Sequence, residues 1–391
     1  MRTAQLIQKL PASKTVSIQN KVFSLKHQGH KIINLAGGEP DFTTPTAIID
    51  EANRAMHAGF THYVSTQGIP ELLNEITNKL LRENGVHCDP SQIIVTAGGK
   101  PALYLALTSL LNEGDEVLVM NPAWVSYEPL ITMAHGVPVT VDLDPENHFA
   151  IDKQKLLRAC TDRTKAIIVN NPNNPTGRVL TLNEINVLKE VAKEKDLVVI
   201  SDEVYEKLVF DNHRFIALAS VPELQERTMT VQSFSKGQAM TGWRLGYLVL
   251  PKDFVSAAVK IQGHLATCTT AFIQYAGVTA LQMVDEVEYM RKIYDQRINN
   301  MVAHLNRIPG VSCANPEGAF YLFPKIEFKG FSSNEVAEYL LDRVKVAVTP
   351  GAAFGSSYDQ YLRLSCAAAD EELQQAAQLM EQALTEQSTV N

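Results

Sequence analysis

Between residues 92 and 250 the chain alternates short apolar runs with amphipathic helical stretches, and few folds accommodate that alternation. The runs are "QIIVTA" (92–97), "EVLVM" (116–120), "VPVTV" (137–141), "KAIIVN" (165–170), "LVVIS" (197–201), "TMTVQ" (228–232) and "GYLVL" (246–250). Several are apolar on consecutive residues, as expected for strands covered on both faces. In "PELLNEITNKLLRENG" (70–85), Leu72, Leu73, Ile76, Leu80 and Leu81 follow a helical period, with Pro70 suited to the first turn and Gly85 to the C-terminal cap. "TLNEINVLKEVAKEKD" (181–196) predicts another helix, with Thr181 and Glu184 at capping-box spacing. Strand and helix in alternation imply an α/β domain with a mainly parallel sheet, whose ligand site lies at the C-terminal ends of the strands.

After about residue 285 the pattern changes to a charged helical stretch, "VEYMRKIYDQRINNMVAHLN", followed by "GAFYLFPKI" and "YLRLSCAA". This reads as a second, smaller α+β domain. The expected division is 46–289 for the large domain, with 1–45 and 290–391 together forming the small one. At 391 residues, with 45% apolar and 20% charged residues, the chain has the composition of an ordinary globular protein. A net charge of −8 argues against nucleic acid or an anionic membrane as partner, because both demand a basic face. The five cysteines are scattered without a CxxC pair, which reads as reduced thiols in a cytoplasmic protein and gives no metal framework. The first 17 residues lack the apolar stretch of a secretory signal, and no run reaches the length of a membrane span.

Several polar groups fall at the ends of these strands. Asp202 follows "DLVVIS", with Tyr205 three residues on. A carboxylate emerging from a buried strand is costly unless it meets a cation or a strong donor; a structural cap on a following helix is the competing explanation. "NNPNNPTG" (170–177) directly follows "KAIIVN", and its prolines enforce a rigid turn able to aim an amide side chain. "TAGGKPAL" (96–103) superficially resembles a P-loop, but Pro101 after Lys100 and the missing upstream glycine break GxxxxGK[ST]. The turn can still present backbone N–H groups at a helix N-terminus to a phosphate, with Pro101 expected at the first helical position. "SFSKGQAMTGWRLGY" (233–247) sets Lys236 among small residues, eight before Arg244. A lysine, a carboxylate, a tyrosine and a phosphate-binding arginine together meet the needs of pyridoxal phosphate, which requires a Schiff-base lysine, an acid at its ring nitrogen and a cationic phosphate cup. The lysine then serves as the base that moves a proton, and Arg244 would help lower its pKa.

These stretches, with "GGEPDF" (37–42) and "YLRLS" (361–365), resemble the class I/II aminotransferases of PLP fold-type I. The subgroup most like this chain is the bacterial one with aspartate, aromatic and prephenate aminotransferases, and the resemblance spans essentially the whole chain. It implies a mostly parallel, mixed seven-stranded sheet sandwiched by helices, beside a smaller α+β domain. It implies that Lys236 carries the cofactor, that Asp202 pairs with the pyridine nitrogen, and that Asn174 and Tyr205 bond the phenolic oxygen. Arg244, Ser233 and the backbone around Gly99 and Lys100 would hold the phosphate, while Trp124 of "NPAWVSY" would stack on the ring. Tyr63 of "THYVSTQGIPEL" would reach the phosphate of a neighbouring subunit, so the resemblance implies a homodimer with shared sites.

Arg363 would clamp the substrate α-carboxylate bidentately, with the Gly38 backbone against the same group; without the family, an arginine in a strand reads as an exposed edge residue. The family usually has Gln where Pro101 stands, and no arginine is visible for a distal carboxylate. Lys100 is similar to a lysine that takes that role, with Ser13 and Thr15 as helpers or as an ordinary helix cap. The expected function is transfer of an amino group between an L-amino acid and a 2-oxo acid by a ping-pong cycle, with acidic, aromatic or broad specificity. Two alternatives remain at this point: a C–S β-lyase on the same scaffold, and a non-catalytic aminotransferase-like regulator.

Overall fold

The computed structural model describes residues 4–10, 14–328 and 330–388. Its centre is a seven-stranded sheet in the order Ile93–Thr96, Gly246–Val249, Thr228–Ser233, Val198–Asp202, Thr164–Asn170, Glu116–Asn121, Val137–Asp142. All seven expected strands are present, each shifted by no more than a residue or two. Gly246–Val249 runs antiparallel to both of its neighbours, and every other pairing is parallel apart from those two. The fold is therefore α/β with a mixed, mostly parallel sheet.

Consecutive apolar residues serve opposite faces, which is why the strands read as unbroken apolar runs. On one face Val117, Val119, Ile168 and Ile200 pack against Leu103, Ala106 and Leu107 of the helix Gly99–Leu110. On the other, Leu118, Ile167 and Val199 meet Leu188 and Val191 of Leu182–Glu194, while Ile93 and Val95 meet Leu72 and Ile76. Full burial of one such side chain is worth about 1.5–3 kcal/mol. The Thr181/Glu184 capping box forms as its spacing predicts.

Two helical expectations need correction. The helix from Pro70 is regular only to Lys79, and Leu80–Asn84 forms a wider π turn before Gly85 closes it at φ +65°. A π turn aligns residues five apart; here Lys79 donates to the Asn84 side chain at 2.8 Å, and both bond Glu206. Pro101 occupies the third helical position rather than the first, since the helix begins at Gly99. No bond is lost there either, because the first-turn N–H groups have no intrahelical partner.

The rest of the chain builds a second core. A three-stranded antiparallel sheet has Leu362–Ser365 in the middle, between Tyr321–Leu322 and Thr349–Pro350. Ile33–Asn34 pairs in parallel with Val346–Ala347, so the beginning and the end of the chain meet in one small ladder. Ile33 and Leu35 share a cluster with Leu340, Met380 and Leu384, and with Ile298 and Met301 of the helix Val284–Leu305. That helix is continuous across the position at which the two domains were expected to divide. Among the described residues, no helix is long and apolar enough to cross a membrane.

Candidate active site

Five parallel strands deliver side chains to one edge of the sheet, the edge at which α/β folds place their ligands. Gly98 and Gly99 follow Ile93–Thr96, Trp124 follows Glu116–Asn121, and Asn174 follows Thr164–Asn170. Asp202 and Ser233 are themselves the last residues of their strands. Between this edge and the second core lies a cleft of about 870 Å³. Gly38, Gly99, Lys100, Trp124, Asn174, Asp202, Tyr205, Ser233, Lys236, Arg244 and Arg363 all line it. Tyr63 does not; it is 85% exposed on the surface of its own chain.

Asp202 is 4% exposed, and no helix begins after it, so it caps none. Its Oδ2 accepts a 2.7 Å bond from the Tyr127 hydroxyl, while Oδ1 is buried with no hydrogen-bond partner among the described residues. Burial pushes the carboxyl up to about 6, against the lowering effects of the Tyr127 bond, the Val204 N–H and the Lys236 charge. An empty oxygen on a buried acid facing a cleft calls for a donor or a cation from a ligand.

The Lys236 amine donates to the Gly38 carbonyl, and Nζ lies 6.0 Å and 5.9 Å from the Tyr205 and Phe320 ring centroids. Its pKa falls to about 8, chiefly by desolvation and then by Arg363, with Arg244 a smaller contribution and Glu39 and Asp202 opposing. Arg244 thus helps lower it, as expected, but burial comes first and Arg363 is the larger cationic contribution. The lowered value makes the unprotonated, nucleophilic amine far more accessible near neutral pH than in an ordinary lysine, although the protonated form still predominates at pH 7.

Around the Gly98–Gly99 turn the groups are those of an anion cup. The helix Gly99–Leu110 starts with no side-chain cap, which leaves the N–H groups of Gly99 and Lys100 available. Arg244 crosses the turn, donating to the Thr241 and Ala97 carbonyls at 2.7 Å and 3.3 Å. A Cβ on Gly98 would fall 2.5 Å from its guanidinium, and Gly98 has φ +99°, so only glycine fits. Arg244 itself has φ +54°, a left-handed conformation that costs a non-glycine residue about 1 kcal/mol. The Ser233 hydroxyl lies beside them, bonded to Ser235 Oγ at 2.9 Å.

Arg363 lies on the central strand of its sheet and is 4% exposed, which overturns the reading of an exposed edge arginine. One terminal nitrogen donates to Asn174 Oδ1 at 3.2 Å, the other to the Ala36 carbonyl at 2.7 Å and Thr349 Oγ1 at 3.3 Å. Its Nε has no partner, and among the described residues no acid forms a salt bridge with it. Lys100 sits 4.9 Å from the Trp124 ring centroid, its pKa lowered by burial and then by Arg244. Ser13 and the side chain of Thr15, expected as its helpers, lie outside the described residues.

Two residues escaped the sequence reading. Tyr127, within the quoted "NPAWVSY", holds Asp202; Tyr321, in "GAFYLFPKI", contacts Arg363 and Tyr205. No motif marks either one, and only proximity in the fold exposes them. Among the described residues, no cluster of His, Cys, Asp or Glu is arranged to hold a metal ion.

A fold-type I architecture carrying a lysine, a buried acid and an anion cup in one cleft defines a class of enzyme, and the comparisons agree. The model of the family "Aminotransferase class I and II" matches residues 30–379. Aspartate aminotransferase of Musicola paradisiaca is 42% identical over 98% of this chain and 96% of its own. Aromatic-amino-acid aminotransferase 2 of Thermococcus litoralis is also 42% identical, over 95% of this chain and 96% of its own. The structure of Thermus thermophilus aspartate aminotransferase with maleate superposes with a TM-score of 0.93 at 36% identity, over 98% of this chain and 100% of that one. The chain belongs to the class I and II aminotransferases, a family known to depend on pyridoxal phosphate. It is an aminotransferase, acting on amino acids and 2-oxo acids.

Proposed function

We propose that this enzyme binds pyridoxal 5'-phosphate at Lys236 and shuttles an amino group between an L-amino acid and a 2-oxo acid in two alternating half-reactions. The observation that carries this reading is the Asp202 oxygen, buried and unpartnered, in the same cleft as the depressed Lys236 amine. The residues present fit the cofactor: an empty acid for a ring N–H, an amine for an aldehyde, and an uncapped helix N-terminus with Arg244 and Ser233 for a phosphate. When bound, the cofactor supplies an electron sink for the pair released at the substrate Cα.

The chain's own groups do the rest. Asp202, held by Tyr127, keeps a negative charge fixed at the end of its strand. Asn174 and Tyr205 offer an amide and a hydroxyl to the same cleft, and the Trp124 indole provides a flat apolar wall. Arg363, with Nε free, binds the α-carboxylate shared by all amino acids, with the Gly38 backbone beside it. Lys236, as a free amine, takes the Cα proton and returns it on the other side of the reaction. Tyr63 would serve the cleft of a second copy in a homodimer, which its exposure allows. On this reading the small domain comprises 1–45 and 290–391, and the cleft lies where it meets the large domain.

For the donor, an acidic amino acid is the first choice. Lys100 lies over the Trp124 wall of the cleft, and among the described residues no carboxylate forms a salt bridge with it, which suits a second substrate carboxylate. The named relatives include aspartate and aromatic-amino-acid enzymes, so an aromatic donor is the second reading.

Purified protein given the cofactor should show a visible band that borohydride bleaches. Lys236→Ala should lack the band and lose turnover by roughly 10⁴-fold; full turnover in that variant would refute the assignment. A panel of donors against 2-oxoglutarate, oxaloacetate and prephenate ranks specificity, and release of pyruvate from cystathionine with no acceptor would mark a lyase. Lys100→Ala should raise KM about tenfold for dicarboxylate donors and much less for phenylalanine. Equal losses for both would remove Lys100 from that role.

A further inference from the structure

Tyr321 belongs to no functional motif, yet it touches the two sides of the cleft at once. It is 1% exposed and sits on the strand paired antiparallel with that of Arg363, in register with Ser365. Residues two apart on a strand share a face, so Arg363 is the diagonal neighbour of Tyr321. The contact follows from that register: the Arg363 guanidinium carbon lies 4.5 Å from the Tyr321 ring centroid. At the other end of the ring, the Tyr321 hydroxyl is 2.9 Å from the Tyr205 hydroxyl. Gly38 is fitted to this arrangement, since a Cβ there would come within 2.3 Å of the Tyr321 oxygen.

Direction matters in the tyrosine pair. Each hydroxyl has one proton to give. Once Tyr205 spends its proton on the cofactor's phenolic oxygen, only Tyr321 can donate within the pair. Donation by Tyr321 makes Tyr205 the stronger donor, because successive hydrogen bonds polarise one another. It also leaves the Tyr321 ring richer in electrons, which favours the guanidinium on its face.

We propose that Tyr321 is a positioning residue that joins the carboxylate-binding Arg363 to the cofactor-facing Tyr205 as one unit. Its ring face orients the guanidinium, and its hydroxyl sets the donor strength of Tyr205. The inference rests on the roles given to Arg363 and Tyr205 above and assigns Tyr321 no chemical step of its own.

The two halves of the role come apart in two variants. Tyr321→Phe keeps the ring and removes the donor. The pH midpoint of the visible band should then rise by roughly half a unit, because a weaker Tyr205 donor leaves more negative charge on the phenolic oxygen and favours the protonated form. KM for aspartate and phenylalanine should stay within about threefold. Tyr321→Leu removes both, adding a KM increase of about tenfold that is equal for the two donors. In a Tyr205→Phe background, Tyr321→Phe should add no further shift, because the path to the cofactor is already cut.

An unmoved midpoint in Tyr321→Phe, or the same shift with Tyr205 absent, overturns the inference and leaves Tyr321 a packing residue. A wild-type protein without the borohydride-sensitive band instead overturns the cofactor reading, and this inference with it. Tyr321→Phe is nearly isosteric, and an unfolding midpoint equal to the wild type's separates lost positioning from lost structure.

Discussion

Asp202 and Glu203 are adjacent in the chain and both buried, at 4% and 1% exposure, yet their surroundings differ in kind. Asp202 faces the cleft with one oxygen empty. Glu203 faces away from it, with Oε1 accepting from Ser201 Oγ at 2.7 Å and the Leu218 N–H at 3.3 Å, and Oε2 near the Gln232 amide at 3.4 Å. Behind Glu203, Lys79, Asn84 and Glu206 satisfy one another across the π turn. The cluster behind the sheet is closed, whereas the one in front lacks partners. A buried polar group whose bonds are complete supports architecture, and one whose bonds are missing in a cleft marks the place of a ligand.

That contrast can be broken by substitution. Asp202→Asn keeps the shape and the Tyr127 contact but removes the charge. Turnover should fall by roughly a hundredfold or more, while the cofactor-free protein should lose no stability, because an ionised carboxylate no longer has to be buried. Parallel losses of turnover and apo-protein urea midpoint would erase the distinction between the two clusters. Lys79→Met should do the reverse, leaving Glu206 buried with the Asn84 bond but without its cation, at a cost of about 3 kcal/mol. That loss would appear as a lower urea midpoint, with KM for the folded enzyme unchanged; altered KM would mean the rear cluster reaches the cleft.

The smallest effect concerns Glu203. Burial first, and then repulsion by Glu206, raise its carboxyl from an ordinary 4.5 to about 8, against the Ser201 bond. Between those values the folded protein holds a proton that the unfolded chain releases, so this group's contribution to stability falls as pH rises from about 4.5 to 8. Glu203→Gln keeps a neutral group of similar shape and does not titrate. Its unfolding midpoint should decline less than the wild type's between pH 5 and pH 8, and identical slopes would show that Glu203 is ionised in the fold.

Much of this molecule was legible in advance, for identifiable reasons. The seven strands announced themselves because a strand covered on both faces must be apolar at every position, and that pattern survives without knowledge of the partners. The capping box around Thr181 was equally local. The Gly85 cap was local too, but the change to a π turn at residue 80 was not, because it accompanies the meeting of Lys79 and Asn84 on Glu206, more than a hundred residues away. Arg363 also read wrongly when taken alone. Nothing within "YLRLS" says that strands lie on both sides of it.

The sequence by itself determined the alternating α/β plan, the seven strand positions and the residue types gathered at their ends, since each depends on residues close together in the chain. The tertiary structure alone decided which of those groups were left incomplete. It left Asp202 with an empty oxygen and Arg363 with a free Nε, let burial rather than Arg244 dominate the Lys236 pKa, and brought Tyr321 between Arg363 and Tyr205. Desolvation and unmet hydrogen bonds depend on every element packed around a group, and no short stretch of chain contains that information.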